Sequence, residues 1–269
     1  ALVLAVAFCA ADVSAQTIRA RADGLLEVTD APPGTVVRYT LDGTDPTRDA
    51  GVWLDPVDVP AGYTVKARAF TADHTAVGTQ VEWASRATGD RIASTLVPVT
   101  QGRDWRVYDW PARHAAAVAL TRERQPEIVL LGDSITHFWG GEPSGDHVGG
   151  RRTAPGVWDR FFGTRRVVNL GYGWDRTENV LWRLGHGEFE HVSPKVVVVM
   201  IGTNNGGDSK DPTLKDAARL KVGAARSVER GRQRRVAHRR ECRGSNGVVV
   251  IRIQRVEHVD FGVELHAAD

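Results

Sequence analysis

Three short apolar runs constrain this chain most. They are Glu127–Leu131, Arg166–Leu170 and Lys195–Ile201, the last with four consecutive valines. Runs this short and β-branched suit strands buried on both faces of a parallel sheet. Between them lie stretches of helical character, and a helical stretch of Trp110–Arg124 leads into the first. Strand and helix in alternation point to an α/β domain with a parallel sheet. Each run ends in a polar, glycine-bearing turn: Gly132-Asp133-Ser134, Gly171-Tyr172-Gly173-Trp174-Asp175 and Gly202-Thr203-Asn204-Asn205. In open parallel sheets, sites form beyond the carboxyl ends of the strands. Three such turns are therefore expected to converge on one edge.

The region before this domain reads differently. Val36–Leu41, Tyr63–Phe70 and Val77–Trp83 are strand-like, and Asp42-Gly43-Thr44-Asp45-Pro46 carries turn chemistry. We expect a small β-sandwich over 16–85, a linker over 86–103 and the α/β domain over 104–269. Residues 1–15 read as part of a signal peptide. Ala1–Ala11 is apolar but shorter than the roughly 20 residues a bilayer span needs, and Val13-Ser14-Ala15 offers small residues for cleavage. The expected location is therefore secreted or periplasmic, with no membrane span.

Composition removes several classes. With 42% hydrophobic and 25% charged residues the chain is an ordinary globular one. A net charge of +2 makes no case for a nucleic-acid partner. Two cysteines, Cys9 and Cys242, exclude a disulfide framework and a four-thiolate zinc site. The histidines show no metal-ligand spacing, and neither a phosphate-binding loop nor a dinucleotide fingerprint is present. No cofactor and no metal are expected.

The turns themselves carry chemistry. Ser134 follows a strand and opens a helix, where backbone N–H groups favour negative charge. That suits a serine nucleophile if a base takes its proton; the plain alternative is a helix cap. Asn204 is placed to aim a side-chain amide at a developing oxyanion, or else to close its own turn. Gly173 and Trp174 offer backbone N–H groups to the same point. His137 lies three residues past Ser134 and reads as structural or substrate-side.

Together the blocks Val129-Leu130-Leu131-Gly132-Asp133-Ser134-Ile135-Thr136, Asn169–Asp175 and Gly202–Asn205 resemble the SGNH (GDSL-type) hydrolases. The stretch Glu178–Leu184, leading through Pro194-Lys195 into the valine run, resembles the platelet-activating-factor acetylhydrolase branch. The likeness spans about a hundred residues, Trp105–Asn205. It implies a three-layer, flavodoxin-like fold, with Ser134 as nucleophile and an oxyanion hole of the Ser134 N–H, the Trp174 N–H and the Asn204 amide. Gly173 is the neighbouring donor, since the family usually has glycine where Trp174 stands. Around Tyr39–Thr47 the chain resembles the small β domain of chitobiases and hexosaminidases, which implies an accessory module beside carbohydrate-active enzymes.

The family also carries Asp-x-x-His near its C-terminus, as base and orienting acid. Residues 205–269 hold no such motif. The nearest groups are His258, Asp260 and His266. Only Phe261 is aromatic after Gly206, against eighteen aromatic residues before it, and eight arginines fall between Arg226 and Arg243. Leu214, Ala218, Val222, Ala225 and Val228 keep helical spacing, and Gly247–Ile253 reads as one more strand. The α/β domain is thus expected to be incomplete at its C-terminal end. Three readings stay open: a frameshifted or truncated product, an enzyme that recruits His258 or His266, or a binding protein without catalysis. We expect an exported serine esterase acting on an acylated, above all acetylated, carbohydrate or other small ester. Its alternative is an inactive, carbohydrate-associated binding module. Oligomeric state is not readable.

Overall fold

The structure is a computed structural model. It describes residues 16–85, 94–102, 109–144 and 153–205, and the backbone of 248–252 and 264–267. The expected signal peptide, His258 and Asp260 lie outside the described residues. The chain divides into two compact units, Ala1–Gly89 and Asp90–Asp269.

The first unit is all-β. Strands β1 (Thr17–Ala20) and β2 (Leu26–Thr29) form an antiparallel ribbon. Strands β3 (Val36–Thr40), β4 (Gly51–Val52), β5 (Thr64–Phe70) and β6 (Ala76–Ala84) form an antiparallel sheet in the order β4-β3-β5-β6. Period-two alternation in β5 turns Val65, Ala67 and Ala69 inward, onto a core that includes Leu26, Tyr39 and Val57. The turn after β3 is closed by Asp42, whose carboxylate accepts the Thr44 N–H at 3.0 Å. Asp45 ties that turn to β5 and β6, accepting from Lys66 at 2.8 Å and Gln80 at 2.9 Å.

The second unit is built on a five-stranded sheet. Helix α1 (Trp110–Arg124) starts at Asp109, which caps the Ala112 N–H at 2.9 Å, and ends at Gln125 in a left-handed conformation before Pro126. Strand β7 (Ile128–Gly132) runs into the short helix α2 (Ser134–His137). Helix α3 (Pro155–Phe162) precedes β8 (Val167–Gly171), and α4 (Thr177–Gly185) precedes β9 (Val196–Met200). The three apolar runs are thus strands, with β8 and β9 both parallel to β7. Alternate residues of β7 serve different cores: Val129 and Leu131 pack with Trp110, Tyr172 and Trp182, Leu130 with Trp158 and Val167.

Two findings correct the sequence reading. The sheet is mixed rather than wholly parallel. The strand expected near residue 250 exists as β10 (Val248–Arg252), but it pairs antiparallel to β9, and β11 (Glu264–Ala267) pairs antiparallel to β10. The sheet order is β11-β10-β9-β7-β8. Val248 lies opposite Met200, so β10 enters where β9 leaves, and no crossover to the far edge is needed. The second correction concerns the expected linker. A one-turn helix, Ser94–Leu96, and the residues after it belong to the second unit, with Thr95, Val97, Thr100 and Gln101 buried. Val99 N–H bonds the Glu178 carbonyl at 3.2 Å, and Asn179 returns a bond to the Val99 carbonyl at 3.1 Å.

Candidate active site

The carboxyl ends of β7, β8 and β9 lie side by side, because Gly132 is in register with both Gly171 and Met200. The Tyr172 N–H donates to the Gly132 carbonyl at 2.9 Å, carrying the pairing one residue past the strand. Helix α2 sits directly on these ends. A Cβ at Gly132 would stand 2.5 Å from the Met200 carbonyl oxygen, and one at Gly171 would stand 2.2 Å from the His137 nitrogen. Only glycine permits that approach.

Asp133 caps α2 by accepting the Ile135 N–H at 3.0 Å. Its burial raises the carboxyl pKa, against the pull of that bond and of the Thr203 hydroxyl. Ser134 is then the first helical residue and is half-buried. It borders a cleft of about 500 Å3 whose walls include Ile135, Phe138, Trp139, Val198 and Met200. The cleft follows the β7/β9 face; Trp174 and Asn204 are not among its lining residues.

The turn after β8 packs against the end of α2 through His137 and Phe138. Trp174 has φ +63°, a left-handed conformation unusual for a bulky residue. Its ring meets Phe138 edge-on at 6.2 Å. Asn204, in a one-turn helix after β9, donates its amide to the Asp175 carbonyl at 2.8 Å. The structure thus gathers Ser134, Trp174 and Asn204 on adjacent strand ends.

Gly173 is a correction. Its N–H donates to His137 Nδ1 at 2.9 Å, deep in the protein, so it is not offered to an oxyanion. That bond also gives His137 its structural role: it is 2% exposed and clamps α2 to the β8 turn. His266 is placed away from the serine. In β11 it pairs with Val250, which pairs with Val198, which pairs with Leu130. Its backbone lies three strands from β7, about 14 Å to the side, and level with a residue four positions before Ser134. A base needs hydrogen-bond reach of the hydroxyl, and this register denies it.

Sequence reasoning missed the group that braces the site. Asp175 is fully buried, and its carboxylate accepts from Gln101 Nε2, Trp110 Nε1 and Arg183 Nε, each at 2.8 Å. Arg183 also bonds Glu188 at 2.7 Å, and the Tyr172 hydroxyl donates to Glu188. Burial pushes the Asp175 carboxyl up to about 7, against the pull of Arg183. Burial would raise Glu188 too, but Arg183 overrides it and holds that carboxyl at about 2. In sequence Asp175 is only the last residue of a polar turn, and nothing local marks Arg183 as its partner. Arg113, equally buried, donates to the carbonyls of Gly171, Pro143 and Asn169 at 2.9, 3.0 and 3.1 Å and so holds the end of β8.

Residues 130–259 match the GDSL-like lipase/acylhydrolase family. The matched residues lie within the second unit. Residues 26–81 match the Fn3-associated family. Among curated relatives, platelet-activating factor acetylhydrolase IB subunit alpha1 of Bos taurus is 35% identical over 102 residues, 38% of each chain. The same subunit of Rattus norvegicus is 37% identical over 119 residues, 44% of each chain, and subunit alpha2 of Rattus norvegicus is 32% identical over 96 residues, 36% of each. The chain thus spans about two-fifths of the length of the curated relatives it matches. No helix among the described residues is long and apolar enough to cross a membrane. Nor do those residues contain a cluster of three or more His, Cys, Asp or Glu able to hold a metal ion.

Proposed function

We propose that the second unit is an acyl-ester hydrolase with Ser134 as nucleophile. One observation carries this reading: Ser134 starts α2 at the meeting point of three strand ends, beside the turns that hold Trp174 and Asn204. The hydroxyl attacks the ester carbonyl. The Ser134 and Trp174 N–H groups and the Asn204 amide receive the oxyanion, which collapses with loss of the alcohol; the alcohol carries away the serine's proton, and water then hydrolyses the acyl-serine to the free acid and Ser134. No cofactor takes part. The acetylhydrolase relatives support acetyl as the acyl group. An acylated carbohydrate is the proposed substrate, on the strength of the N-terminal module's likeness to domains of sugar-active enzymes. Export through residues 1–15 belongs to the same proposal.

A second reading, a carbohydrate-associated binding protein without turnover, is favoured by the register that keeps His266 from Ser134. One assay separates the two. Hydrolysis of p-nitrophenyl acetate and of an acetylated oligosaccharide is measured for the parent and for Ser134→Ala. Turnover that vanishes in the variant supports the esterase. Equal rates in both, or none in either, remove it.

A further inference from the structure

A bulky residue at φ +63° does not stay there unaided, and Trp174 is held from both sides. On one side the Gln101 amide donates to the Gly173 carbonyl and to Asp175 Oδ1, each at 2.8 Å. On the other, Trp110 and Arg183 fix the same Asp175 carboxylate at 2.8 Å, and the Asp175 N–H closes the turn on the Tyr172 carbonyl at 3.1 Å. The Asp175 carbonyl in turn receives the Asn204 amide. One residue therefore links both proposed oxyanion donors that lie outside α2. Its carboxylate sets the turn that presents the Trp174 N–H, and its carbonyl occupies one N–H of Asn204, which fixes where the other points.

We infer that Asp175, braced by Gln101 and Arg183, is the positioning residue of the oxyanion site. This rests on the esterase reading above. Asp175 touches no reacting atom. It acts by holding two donors in place, and donors displaced by about 1 Å forfeit on the order of 100-fold in rate. The buried guanidinium has a matching reason to be there: without Arg183 the turn's anchor would be an uncompensated buried carboxylate.

The test uses the full chain and the variants Gln101→Met and Asp175→Asn. Gln101→Met keeps the side-chain volume and removes only the amide. Three quantities are read on the same samples: kcat and KM for p-nitrophenyl acetate, the thermal midpoint, and hydrogen exchange at the Trp174 and Asp175 amides. Gln101→Met is expected to lower kcat by about 10- to 100-fold with KM within about twofold. Exchange at the two turn amides should rise about tenfold or more while that of β7 is unchanged. Asp175→Asn should do the same more strongly; if it fails to fold, Gln101→Met decides alone. A Gln101→Met protein with parental kcat, or with parental exchange at the turn, overturns the inference. A parent without Ser134-dependent hydrolysis overturns the esterase reading instead, and the exchange data still decide whether the turn is braced as described.

Discussion

His137 Nδ1 accepts the Gly173 N–H at 2.9 Å, and this bond joins the nucleophile's helix to the neighbouring strand's turn. It makes the histidine nearest the serine in sequence a clamp. Replacing His137 with Ala leaves a buried donor unsatisfied and opens a small cavity. The expected cost is about 1–3 kcal/mol, read as a lower urea midpoint.

Packing at the strand ends leaves no room for a side chain. Gly171→Ala pushes a methyl to 2.2 Å from the His137 nitrogen and 2.7 Å from the Thr136 carbonyl carbon. Backbone must move, so we expect a loss of about 3 kcal/mol or more. Gly156, in α3, has nothing within 4 Å of its would-be Cβ. Gly156→Ala is expected to stabilise by about 0.5–1 kcal/mol through helix propensity. Thermal melts of the pair check both signs.

Asn204 bears on rate rather than binding in the proposed mechanism. Asn204→Ala is expected to reduce kcat by about 100- to 1,000-fold with KM nearly unchanged. A parallel fall in folded fraction would instead mark a structural role, so circular dichroism accompanies the kinetics.

Glu188 gives the buried ion network its pH dependence below about pH 4.5. Its carboxyl is held at about 2 in the folded chain by Arg183, below its ordinary value of 4.5. The stability it contributes is therefore fully present above about pH 4.5 and is lost as pH falls toward 2. The shift corresponds to about 3 kcal/mol. Glu188→Gln should remove that slope between pH 4.5 and 2. At neutral pH it should cost about 3–5 kcal/mol, because Arg183 keeps only Asp175 as a charged partner. Urea titrations at a series of pH values measure both.

Local pattern alone determined much of this protein. The apolar runs became β7, β8 and β9, the alanine-rich stretch between two prolines became α1 over its expected span, and Ser134 opened a helix, because burial period, caps and breakers act over a few residues. The GDSL-like blocks were legible for the same reason: each is one strand and its turn. Tertiary structure alone decided the rest. Whether Gly173 or Trp174 can offer an N–H depended on where His137 came to lie. Whether Arg183 and Asp175 face water or each other depended on how α4 docks. Whether 94–101 was linker or core depended on α4 being there to receive it. The direction of β10, and with it the place of His266, depended on pairing across the sheet. Hydrogen bonds and ion pairs between distant residues are set by packing, and the residues that make them carry no local mark of their partner.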